Sequence, residues 1–79
     1  MAEDLRELFA TNLRRLRHAR GLSQDDLAAE AGISRSYLAQ IELGTSFSSS
    51  LRIIAKLATA LDAEPAEFFR RPSNSDRGE

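Results

Sequence analysis

At 79 residues, with eleven Lys or Arg against twelve Asp or Glu and no cysteine, the chain has length for one small domain that buries roughly 60–65% of its unfolded surface. Disulfides and thiolate metal sites are excluded. No apolar run approaches the ~20 residues of a membrane span, and the acidic start MAEDLRE is wrong for a secretion signal, so the expectation is a soluble cytoplasmic protein.

The first predicted helix runs from about Asp4 to Ala19. Leu5, Phe9, Leu13 and Leu16 recur as one apolar stripe, the arginines gather late, where the helix dipole favours cations, and Gly21 is the stop. LSQDDLAAEAGISRSYLAQIELG, residues 22–44, then has the pattern of two short helices meeting at a tight turn. Ser23 caps a helix carrying Gln24, Leu27, Ala28 and Ala31, and Gly32 supplies a left-handed residue to end it. Ser34 caps the next helix. It turns Ile33, Leu38 and Ile41 inward and leaves Arg35, Ser36, Ala39 and Gln40 on the opposite face, free for a partner. Ala28 is small because the second of the pair crosses over it. This is a helix-turn-helix, whose second helix enters the DNA major groove.

A polar loop, TSFSSS (45–50), follows. Leu51, Ile54, Leu57, Ala58 and Leu61 then define a fourth helix by their spacing. Asp62 and Ala63 turn the chain into a short fifth helix, with Pro65 in its first turn and Phe68 and Phe69 closing the core. Residues 1–71 are expected to form the single domain, and PSNSDRGE (72–79) a flexible tail.

Catalysis has little support. His18 is the only histidine, and neither a metal-binding HExxH nor a phosphate-binding glycine loop is present. The expectation is no enzyme, no metal, no cofactor and no small-molecule ligand. Asp25 and Asp26 lie in a first turn, where acids complement the helix dipole, and Asp26 completes a variant capping box with Ser23.

Charge is segregated along the chain: Arg14, Arg15, Arg17 and Arg20 cluster in the first helix, Asp25, Asp26 and Glu30 in the second, and Arg52 and Lys56 in the fourth. The net charge of −1 still predicts modest nonspecific affinity for DNA and a shallow salt dependence.

The segments LRRLRHARGLSQDDLA, Gly32, YLAQIELG and LRIIAKLATALDAEPAEFF occur in the order and at the spacing of the phage repressor and Cro-like (XRE) helix-turn-helix family, which the chain resembles from Phe9 to about Phe69. The resemblance implies an all-α, compact five-helix fold like that of lambda repressor, with helices 2 and 3 as the helix-turn-helix. It also implies that Ser34, Arg35, Ser36, Ala39 and Gln40 face base edges. Arg35 suits guanine O6 and N7, and Gln40 adenine N6 and N7, each contact being worth on the order of 1–3 kcal/mol. A phosphate contact or a solvated side chain is the alternative for Arg35.

Phosphate contacts are implied for Ser23, Gln24, Tyr37, Thr45, Ser46 and Ser48. Tyr37 also reads as a packing residue. In the loop, relatives often carry Lys or Arg where this chain has hydroxyls. Arg17 and Glu42 match a partly buried salt bridge of structural role. A homodimer is expected through Phe47, Leu51, Ile53, Ile54 and Phe69, with Phe47 and Ile53 exposed in a monomer. Its twofold axis would set the two recognition helices roughly 34 Å apart on an inverted repeat of double-stranded DNA.

The stand-alone length resembles that of restriction-modification controller proteins, with no C-terminal segment expected to sense a ligand. Two other readings stand: an antitoxin that represses its own operon and binds a toxin protein, and a helical protein-interaction module. The resemblance also allows Asp25, Asp26 and Glu30 to touch RNA polymerase.

Overall fold

The computed structural model describes residues 4–45 and 50–71. Within them the chain forms four α-helices, α1 (Leu5–Ala19), α2 (Gln24–Ala31), α3 (Arg35–Leu43) and α4 (Leu51–Leu61), followed by a 3-10 helix, Pro65–Phe69. The expected fifth α-helix is therefore corrected to a single tight 3-10 segment. Pro65 starts it, and Glu64 and Glu67 close a capping box across it, which leaves no room for a longer ladder. Among the described residues no helix is long and apolar enough to cross a membrane.

Local chemistry sets the helix ends. Asp4, Ser23, Ser34 and Ser50 each accept a backbone N–H of the first turn they precede. At the C-termini, backbone N–H groups of Leu22, Ile33, Thr45 and Ala63 donate to carbonyls five residues earlier, on Arg17, Ala28, Gln40 and Ala58, the six-to-one bond of a Schellman ending. The residue that makes such a turn lies at positive φ. At the α2–α3 junction it is Gly32, φ 73°, but at the end of α4 it is Asp62, φ 54°.

The core consists of Phe9, Leu13, Leu27, Ala28, Ala31, Leu38, Ile41, Leu57, Ala58, Leu61 and Phe68. Helix α1 packs on α3 and on the 3-10 helix, while α2 packs on α3 and α4, so α2 and α3 are gripped from both sides. Phe9 joins the two ends of the chain, with ring centroids 4.9 Å from Phe68 and 5.6 Å from Phe69.

Two stripe positions do not go inward. Leu5 is 56% exposed and Leu51 80% exposed, each being the first residue of its helix, where the stripe overruns the neighbouring element. Ile53, expected to be exposed, is partly buried against the core. A polar residue on the α1 stripe goes inward instead. Asn12 is buried, and its Nδ2 donates to the carbonyls of Phe68 and Arg70, both at 2.9 Å, while its Oδ1 accepts from Arg15 Nη2 at 3.2 Å. A side-chain amide thus ties the 3-10 helix to α1.

Candidate nucleic-acid interface

The centre of the site is a buried polar junction beneath the first turn of α2. Glu42, near the end of α3, receives Arg17 side-on, with Nε to Oε2 at 2.7 Å and Nη2 to Oε1 at 3.0 Å. Oε1 also accepts Nε2 of Gln24 at 3.0 Å, and the remaining Nη1 of Arg17 donates to the Leu22 carbonyl at 2.9 Å. Arg17 and Glu42 are both buried, so the junction satisfies its charges internally, as burial demands. It locks the end of α1, the start of α2 and the end of α3 into one orientation.

Gln24 is consequently held rather than free. One hydrogen of its amide nitrogen is given to Glu42, and the second remains for an outside acceptor. It lies beside the amides of the first α2 turn, which have no intrahelical acceptor. Ser23 closes the capping box: its Oγ accepts from Asp26 N at 3.0 Å, while Asp26 Oδ2 accepts from Ser23 N at 3.2 Å, which leaves the hydroxyl proton of Ser23 to donate. The capping box read from the sequence is present.

On α3, Ser34 accepts from Tyr37 N at 3.0 Å. Arg35, Ser36 and Gln40 are exposed, Ala39 is partly buried, and Tyr37 is partly buried against the core. The polar face is therefore solvent-facing as a unit, with Tyr37 at its boundary. Arg35 does not stand alone, since its Nε is 3.2 Å from Asp25 Oδ1. Thr45 donates its hydroxyl to the Gln40 carbonyl at 3.2 Å, which commits that proton to closing α3. Ser46, Phe47 and Ser48 lie outside the described residues. Of the expected dimer residues, Leu51 is exposed, Ile53 and Ile54 are partly buried, and Phe69 is partly buried against Phe9.

Three arginines of the α1 cluster are engaged within the fold. Arg14 Nη1 donates to the Glu42 carbonyl, and Arg20 Nη1 to the Leu61 carbonyl at 2.6 Å. These cations hold the C-terminal carbonyls of α3 and α4, where a helix concentrates negative potential, and Arg17 is buried in the junction. Sequence reasoning named the Arg17–Glu42 pair but missed the contacts of Arg14 and Arg20 and of Asn12. Asn12 left a signal: a polar residue three after Phe9 and four before Leu16, on the stripe itself. The carbonyl partners left none, because every residue has a carbonyl.

The comparisons agree with this geometry. The family model of the helix-turn-helix domain matches residues 8–68. The chain is 50% identical to the restriction-modification controller protein C.AhdI from Aeromonas hydrophila, superimposing with a TM-score of 0.77 over 81% of this chain and 96% of that one. It is 35% identical over 70 residues to the control protein C.BamHI of Bacillus amyloliquefaciens, covering 87% of this chain and 85% of that protein. Against the transcriptional regulator SlrR of Bacillus subtilis it is 37% identical over 57 residues, 72% of this chain but only 38% of the relative's length. With an α2–α3 pair joined through Gly32 and braced by the Arg17–Glu42 junction, the chain belongs to the helix-turn-helix domain family.

Proposed function

We propose that the chain is a sequence-specific DNA-binding transcriptional regulator that occupies an inverted-repeat operator as a homodimer, with α3 in the major groove. The observation that carries this reading is the polar face of α3. Arg35, Ser36 and Gln40 are exposed together on a helix whose other side is buried, and the side chains suit base edges. Gln24 and the open amides of α2 suit a phosphate next to that groove.

The similarity to proteins called restriction-modification controllers supports a regulator whose output follows its own concentration through dimerisation. Leu51, exposed on the first turn of α4, together with Ile53, Ile54, Phe69 and Phe47, is the surface proposed for the twofold contact. Base contacts are assigned to Ser34, Arg35, Ser36, Ala39 and Gln40. Phosphate contacts go to Ser23, Gln24, Tyr37, Thr45, Ser46 and Ser48.

Selection from randomised DNA duplexes at about 100 mM salt, where nonspecific retention is weakened, tests the proposal. Enrichment of an inverted repeat is the expected result. Retention without enrichment, or none even at low salt, would overturn it.

A further inference from the structure

An exposed ion pair across two helices is the feature that the fold does not need. Asp25 is the second residue of α2 and Arg35 the first of α3, and the turn at Gly32 brings the two helix starts together so that Arg35 Nε lies 3.2 Å from Asp25 Oδ1. Their side chains are 63% and 77% exposed, respectively. A pair this open to water contributes little to stability.

Its geometry matters more than its strength. An arginine side chain has several rotatable bonds and, unrestrained, reaches a phosphate as readily as a base. The guanidinium carries five N–H donors in a fixed plane. The Asp25 carboxylate stands 3.2 Å from Nε as an ion pair, which draws the guanidinium toward α2 by its Nε side and leaves the outer edge formed by the two Nη groups open. That edge is the one that pairs with guanine O6 and N7.

We infer that Asp25 is a positioning residue for sequence recognition: it orients Arg35 toward a guanine and directs it away from the phosphate backbone. This rests on the reading that α3 enters the major groove. The pair strengthens where it is used, because docking on DNA displaces water and lowers the local dielectric around it. The carboxylate also has a cost in nonspecific affinity, since an anion at the edge of the interface repels phosphate. Asp25 therefore favours discrimination over binding strength.

These two effects have opposite signs, and a merely structural role does not produce both. The test is the duplex selection, carried out on the wild type and on the D25A, D25N and R35A variants, with nonspecific affinity measured on a scrambled duplex and melting recorded for each. R35A is expected to abolish a guanine preference at one position of each half-site. D25A is expected to lower that same preference by about three- to tenfold, a fraction of a bidentate contact, leaving other positions unchanged and lowering the melting temperature by only the few degrees that loss of one first-turn acid brings, while nonspecific affinity rises severalfold. D25N, which keeps the shape of the side chain but not the charge of the ion pair, is expected to lose the preference as D25A does.

Three results would overturn the inference: an unaltered guanine preference in D25A, an equal loss at all positions, or a wild-type motif with no position sensitive to R35A. A wild-type pool with no enrichment at all is a distinct failure, because it removes the DNA-binding reading and the role of Asp25 with it.

Discussion

Arg17 and Glu42 meet side-on through two hydrogen bonds, 2.7 and 3.0 Å long, between the end of α1 and the end of α3. Gln24 shares the same carboxylate from the start of α2, so a single buried group registers all three helices. Removing the carboxylate leaves a buried guanidinium with only the Leu22 carbonyl.

Glu42→Ala is therefore expected to cost about 3–5 kcal/mol, the range for breaking a buried pair by deleting one partner, and urea denaturation measures it. For a domain this small that approaches the whole stability. A paired replacement, Arg17→Met with Glu42→Leu, is expected to recover part of the loss because it leaves no unpaired charge. Wild-type melting in Glu42→Ala with lost DNA binding would instead assign Glu42 to recognition.

Asn12→Leu removes the donor shared by the Phe68 and Arg70 carbonyls. The expected loss is about 1–3 kcal/mol, the penalty for burying an unsatisfied polar group. Hydrogen exchange is expected to quicken first at the amides of Glu67 and Arg70, whose bonds belong to the 3-10 helix, before the α2–α3 pair is affected.

Asp62 sits at φ 54° at the end of α4, where an L side chain is strained and a carboxylate faces the negative end of the helix dipole. Asp62→Gly relieves both. The expected gain is about 0.5–1 kcal/mol, a rise of several degrees in Tm for a domain of this length. A lower Tm would show that the aspartate makes a compensating contact.

Gln40 is exposed near the middle of α3. Gln40→Ala is expected to leave stability within about 0.5 kcal/mol while reducing discrimination at one base pair by on the order of 1–3 kcal/mol. Competition binding between duplexes that differ at that pair measures the loss.

Leu51 is 80% exposed, so Leu51→Glu has little to disturb within one protomer. On the proposed homodimer it places two carboxylates at a twofold contact, and sedimentation at micromolar concentration is expected to show a monomer where the wild type is a dimer. Operator affinity is expected to fall with it. An unchanged sedimentation profile would exclude Leu51 from the interface.

Features decided within a few residues were legible from the chain itself. Ser23 and Ser34 as caps, the Ser23–Asp26 box and the left-handed Gly32 follow from contacts spanning five residues or fewer, and the polar face of α3 follows from the helical period, so local sequence carries them. The family pattern added one distant pair, Arg17 and Glu42, because its members stand at matching positions. Only the tertiary structure assigned the rest. Asn12 reaches the carbonyls of Phe68 and Arg70, Arg20 reaches Leu61, and Arg14 reaches Glu42. Their acceptors are backbone atoms, identical in every residue and so without a sequence signature. Gln24, expected at a phosphate, also reaches the Glu42 carboxylate because helix packing brings that acceptor within reach. Asp25 and Arg35, ten positions apart, became partners because one turn at Gly32 sets two helix starts side by side.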